Sequence, residues 1–101
     1  MKYTVIVSDT AKRQLASHIA FIANVSKPAA KRTKTDIINA LRSLEKMPQR
    51  YPFLNQELLT KNKYHKMFVE GRYIVLYQIK DSEVFVDNIL DCRQDYEWLK
   101  D

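Results

Sequence analysis

Four side chains stand out as candidates for chemistry. Arg93 and Tyr96 lie three residues apart in the C-terminal stretch NILDCRQDYEWL, and His65 and Arg72 precede them in the chain. Arginine, histidine and tyrosine around an open groove suit metal-independent RNA cleavage. In that reaction a 2′-hydroxyl loses a proton and attacks the adjacent phosphorus, and the 5′-oxygen gains a proton. Arginine offers a two-pronged donor for charge gathering on phosphate oxygens. Histidine or tyrosine can move protons, and aromatic rings can stack on unpaired bases. Lys61, Lys63 and Lys66 surround His65 in sequence and form a basic stretch fit for an RNA backbone. Each residue also has a plainer role open to it. Asp91 and Arg93 can pair on a strand face, Trp98 can pin the tail, His65 can pack, and His18 reads as structural beside an apolar stripe.

The bulk composition narrows the chemistry. The chain has 101 residues, room for one domain spanning 1–101 with a modest core, and its 46% hydrophobic content is that of a globular protein. A single glycine, Gly71, excludes glycine-rich phosphate loops. No ligand set has metal-site spacing, so neither a metal nor another cofactor is expected. Cys92 has no second cysteine to pair with, which fits a reducing cytoplasm. Lys12 and Arg13 interrupt any apolar leader, and no apolar run is long enough to cross a membrane. Seventeen basic against twelve acidic residues give a net charge of +5, which favours an anionic partner. The surplus gathers at Lys27, Lys31, Arg32 and Lys34, and again from Lys61 to Lys66.

The elements that must position these groups follow from apolar spacing. YTVIV, Tyr3 to Val7, predicts a first strand, after which Ser8 or Asp9 caps a helix running to about Asn24 on the stripe Ala11, Leu15, Ile19 and Ile22. A second helix opens with Pro28 in its first turn, carries Ala30, Ile37, Leu41 and Leu44, and is expected to close at Met47-Pro48. Pro48 to Asn62 reads as a long loop. Strands are expected over Tyr64–Val69, Tyr73–Ile79 and Val84–Leu90, joined by tight turns into an antiparallel meander, with a helical turn over Asp95–Lys100. The fold class is therefore α+β, in the order β-α-α-β-β-β: an antiparallel sheet with an N-terminal helical hairpin packed on one face. Strict alternation places Arg72, Ile74, Leu76 and Gln78 on the open face. In the last strand it puts Phe85, Asp87, Ile89, Asp91 and Arg93 on that face, with Val84, Val86 and Leu90 opposite. For the earlier strand the pattern leaves either His65, Met67 and Val69 or Tyr64, Lys66 and Phe68 exposed.

This order, with the stretches YTVIVSDTAKRQL, LRSLEKMP, KYHKMFVEGRYIVLYQIKDSEVFVDNIL and CRQDY, resembles the RelE/ParE superfamily of bacterial type II toxin–antitoxin toxins over nearly the whole chain. The resemblance implies growth inhibition, neutralisation by a cognate antitoxin that wraps the toxin, and contact with operator DNA only through the antitoxin complex. RelE-like and YoeB-like members cut mRNA on the ribosome, whereas ParE-like members poison DNA gyrase. Arg93 matches the basic residue that RelE-like enzymes carry at the end of the last strand, and Arg93 with Tyr96 reproduces the YoeB-like spacing. Asp95 stands where the YoeB-like pattern has histidine. Ile74 takes the place of a central-strand arginine, which Arg72 would have to replace, and His65 and Met67 stand at the positions of two lysines. The resemblance thus implies a ribosome-dependent mRNA endonuclease in which Arg93 and Arg72 hold the phosphate and His65 and Tyr96 move protons or stack a base. The alternative it implies is a ParE-like gyrase inhibitor with no catalytic activity of its own.

Overall fold

The structure, a computed structural model, describes residues 2–54 and 63–92. Arg93, Tyr96, Lys61 and the expected turn over Asp95–Lys100 lie outside the described residues.

The chain starts with strand β1 (Thr4–Val7) and passes directly into helix α1 (Asp9–Ala23). Ser8 caps α1 by accepting the Ala11 N–H at 3.0 Å, which satisfies one of the amides left over at a helix start. Helix α2 (Lys27–Ser43) is capped in the same way by Ser26, whose Oγ accepts from Ala29 at 3.2 Å. Pro28 fits its first turn, where an N–H has no helical partner. The helix ends at Ser43, earlier than the expected stop at Met47-Pro48. Leu44 prolongs the apolar stripe but serves as the C-cap, and Met47 takes a left-handed backbone before the short 3-10 turn Pro48–Arg50.

Strands β2 (His65–Val69), β3 (Tyr73–Lys80) and β4 (Glu83–Asp91) form the expected antiparallel meander. β1 joins beside β4 in parallel, so the sheet is mixed, in the order β1-β4-β3-β2. The hairpin helices lie on one face. There Ala11, Ile22, Ala30, Ile37, Leu41 and Leu44 enclose Met67, Val75, Tyr77, Val84, Val86 and Ile89 in the main core. A smaller cluster, Leu54, Leu76 and Leu90 with Tyr64 and Ile74, lies against the opposite face.

One irregularity changes what each face carries. The β3–β4 register slips between Leu76 and Tyr77, which pair with Asn88 and Val86 and leave Asp87 as an extra residue in β4. Beyond that bulge the alternation inverts. Ile89 turns into the main core and Leu90 joins the small cluster, the reverse of the faces expected from strict alternation. Asp91 now pairs in register with Tyr73 and is buried, so it is withdrawn from the open face that Asp87 still shares.

The β2–β3 turn holds Glu70 and Gly71 at φ 60° and 64°, closed by the Arg72 N–H on the Val69 carbonyl at 3.1 Å. Two successive positive φ values describe a type I′ turn, whose preferred pair is Asn-Gly. Glutamate in the left-handed region is strained where asparagine is tolerated. Glu70→Asn is therefore expected to raise the unfolding free energy by about 0.5–1 kcal/mol, read as a higher urea midpoint at unchanged slope.

Candidate functional site

The structure separates the sequence-predicted site residues. His65 lies on the helix-facing side of β2 and is 6% exposed. Its ring stacks on Tyr77, with centroids 5.2 Å apart and planes 13° apart, and packs against Phe53 at 4.1 Å. Its Nδ1 lies 2.7 Å from the Tyr51 carbonyl oxygen; since a carbonyl only accepts, the ring nitrogen is the donor and the proton sits on Nδ1. All of this ties down the Pro48–Leu54 segment.

Arg72 stands at the other end of the hairpin. Val69↔Tyr73 and His65↔Tyr77 are register pairs, so the two residues lie roughly 13 Å or more apart along the strands. The Arg72 guanidinium sits 5.4 Å from the centre of the Tyr73 ring, and its backbone carbonyl accepts from the Cys92 amide at 2.7 Å. Its Nε is buried without a hydrogen-bond partner among the described residues.

The open face carries Lys66, Phe68, Ile74, Leu76, Gln78, Asp87 and Leu90. Its polar part is a short network: Gln78 Nε2 donates to Asp87 Oδ2 at 2.6 Å, and the Tyr64 hydroxyl donates to the same carboxylate. Burial, and then that hydrogen bond, push the Tyr64 phenol above its usual value, so it stays protonated at neutral pH. Lys63 extends its ammonium over the Tyr64 ring at 5.3 Å. Lys63, Tyr64 and Lys66 are thus gathered at one end of this face, while its centre is aliphatic. No group of histidine, cysteine, aspartate or glutamate among the described residues is arranged to hold a metal ion. Nor is any described helix long and apolar enough to cross a membrane.

A second surface escaped the sequence reading. Between α1, α2 and the outer edge of β1 runs an apolar groove. One part, of about 330 Å³, is lined by Val5, Val7, Leu15, Ile38 and Leu41. A neighbouring part, of about 440 Å³, continues it past Leu15, Ala16, Ile19 and Ala20. Lys12 belongs to both parts, Arg42 and Glu45 rim the first, and Lys34 rims the second. Glu45 is engaged by Lys2 at 3.6 Å. Along α2 the residues Lys27, Lys31, Lys34 and Arg42 recur at helical spacing on one stripe, all exposed. That cationic spacing was visible in the sequence as a run of basic residues; the groove beside it depends on how two helices and a strand meet.

Residues 5–96 match the model of the ParE toxin of the type II toxin–antitoxin system parDE. The chain belongs to the ParE toxin family. The RelE/ParE resemblance read from the motifs is thereby met, and a ParE-type toxin of a toxin–antitoxin module has a cognate antitoxin as its partner. Among solved structures, the chain is similar to a chromosomal ParDE toxin–antitoxin system from P. aeruginosa. The TM-score is 0.74 at 13% sequence identity, with 89% of this chain and 96% of that chain covered. Identity that low carries the fold alone. No curated protein sequence matches the chain.

Proposed function

We propose that this ParE-family toxin arrests growth by binding its target, DNA gyrase, rather than by cutting mRNA. The observation that carries this reading is the aliphatic centre of the open face. Leu76 and Leu90 are buried there beneath Leu54 and Tyr64, with Ile74 beside them. Cleavage of a phosphodiester needs cations and proton carriers around one phosphate. Along the middle of the sheet the described side chains of this face are aliphatic and packed under Leu54 and Tyr64, and the one histidine of β2 is stacked in the core on the other side. Binding without chemistry needs shape, apolar anchors and charge instead, which exposed Phe68 and the surplus of basic residues supply.

Under the mRNA reading, Arg93 and Tyr96 would still have to assemble with Arg72, and Lys61, Lys63 and Lys66 would track the RNA. One pair of assays separates the two readings. Purified toxin is added to gyrase with relaxed plasmid and ATP, and in parallel to programmed ribosomes with a labelled mRNA. The expected result is loss of supercoiling at an intact mRNA, relieved by the antitoxin. Site-specific mRNA cuts that disappear with Arg93→Ala, together with untouched supercoiling, would overturn the proposal.

A further inference from the structure

The positive charge of this chain is not shared between its two layers. Residues 1–47, which hold β1 and the helical hairpin, carry nine basic and three acidic side chains, whereas residues 48–101 carry eight basic and nine acidic ones. The whole surplus therefore lies on the helical side. On α2 it concentrates in the exposed stripe Lys27, Lys31, Lys34 and Arg42, which covers about 22 Å of helix from end to end. Asp36, the one acid of α2, stands two and a half turns beyond Lys27 and so on the opposite side of the helix. Glu45 is engaged by Lys2 at 3.6 Å, and none of the four stripe cations has an ion-pair partner among the described residues.

This arrangement works against the helix that carries it. Lys27 and Lys31 sit four residues apart, and Lys31 and Lys34 three apart, so each neighbouring pair repels. The first turn has a lysine and no acid, although the amino end of a helix carries positive partial charge and favours carboxylates. No described residue offsets either cost, whereas a row of phosphates would. Duplex DNA presents one negative charge per about 1.7 Å of its axis, enough for every cation along the stripe. The stripe has no aromatic side chain on which an unpaired base could stack. Its chemistry therefore suits a paired backbone and not a single strand.

We propose that the α2 stripe lies on duplex DNA, without regard to sequence, and that this DNA is the segment gyrase holds. The toxin then grips two things at once: the enzyme through the open sheet face, and the DNA through the helical layer on the sheet's other side. Lysine suits this role, since it meets phosphate as a point charge with little demand on geometry. Two weak contacts joined in one rigid body bind more tightly than either alone. This inference deepens the gyrase reading and rests on it for the identity of the DNA.

The test titrates the full chain into a short fluorescent DNA duplex of arbitrary sequence, followed by anisotropy over a series of potassium chloride concentrations. Four phosphate contacts predict a slope of about −3.6 in the logarithm of the binding constant against that of the salt. Lys31→Gln combined with Lys34→Gln is expected to halve the slope to about −1.8, while Lys80→Gln, at the β3–β4 turn, leaves it unchanged. Glutamine keeps the helix propensity and removes the like-charge pairs, so the double variant's thermal midpoint should equal or exceed the parent's. In the supercoiling assay the double variant should need about tenfold more protein for the same inhibition. A slope that the double variant retains would overturn the inference. So would poly-glutamate bound as tightly as the duplex, which would mark an acidic protein as the partner of the stripe. Equal inhibition of supercoiling by parent and double variant would overturn it and leave the gyrase reading standing. Supercoiling untouched by the parent would instead bring down the gyrase reading and the inference with it.

Discussion

Tyr77→Ala is expected to lower the unfolding free energy by about 3–5 kcal/mol, the range for removing a buried aromatic ring. A domain of this size has about 5–15 kcal/mol in total, so this one change takes the protein close to the edge of folding. The argument rests on what the side chain joins. Its ring is fully buried between β2 and β4 and stacks on His65, which in turn packs against Phe53. Its hydroxyl donates to the Pro48 carbonyl at 2.6 Å, at the segment that leaves α2 for β2. Tyr77→Phe keeps the stack and deletes only that bond, leaving a buried carbonyl unmet. It is expected to cost about 1–3 kcal/mol. Urea denaturation followed by circular dichroism separates the two variants. Equal losses for phenylalanine and alanine would mean that the hydroxyl, and not the ring, holds this junction.

The same residue sets the alkaline limit. Burial, reinforced by the nearby Tyr51, drives the Tyr77 phenol far above its ordinary value. Its neutral form is favoured in the folded state, so the stability this contributes is complete below about pH 10, where unfolded tyrosine begins to ionise. It is lost as pH climbs from there towards the folded value. Tyr64, and Cys92 from about pH 9, are raised mainly by burial and act in the same direction. Stability should therefore fall above pH 9–10 with a slope of up to about 1.4 kcal/mol per pH unit for each such proton, and Tyr77→Phe should lose one proton's share of that slope. An unchanged alkaline profile in Tyr77→Phe would assign the loss to Tyr64 or Cys92.

How far the sequence could be read depends on the range of the forces involved. The cap at Ser8, Pro28 in the first turn of α2 and the apolar stripes of both helices are local, and they stand where the spacing put them. The meander is local as well, since its turns contain residues with positive φ at Glu70, Gly71 and Asp81. What escaped was non-local or singular. One extra residue at Asp87 inverts every side chain after it, so Ile89, Leu90 and Asp91 could not be placed by counting in twos. The parallel seat of β1 beside β4 has no signature within TVIV itself, and with it went the edge and the groove. For the candidate site, His65 and Lys66 alternate along one strand and had two equivalent readings until the stack of His65 on Tyr77 decided between them.

Gln14→Leu is expected to cost about 2–4 kcal/mol, although glutamine on a helix surface usually contributes little. β1 ends at Val7, and beyond it the edge of β4 would expose its backbone to the base of α1. Side chains of α1 and its cap take the place of the missing strand. The Ser8 hydroxyl donates to the Asp87 carbonyl at 3.1 Å. Gln14 accepts the Ile89 amide at 2.7 Å and donates to Asn88 Oδ1 at 3.1 Å. His18 Nε2 lies 2.8 Å from the Ile89 carbonyl and, facing an acceptor, carries the proton. Leucine fills the same space as glutamine but leaves a buried N–H with no partner at Ile89, a residue with no exposed surface. Helix propensity is nearly equal for the two residues, so the cost isolates those two hydrogen bonds. Gln14→Glu retains an acceptor for the Ile89 amide and should recover about half the loss. Hydrogen exchange gives the decisive reading: the Ile89 amide should open about tenfold or more faster in Gln14→Leu, ahead of Val84 in the same strand. If both amides accelerate alike, α1 is held to β4 by its apolar stripe alone, and the bulge tolerates an unmet amide.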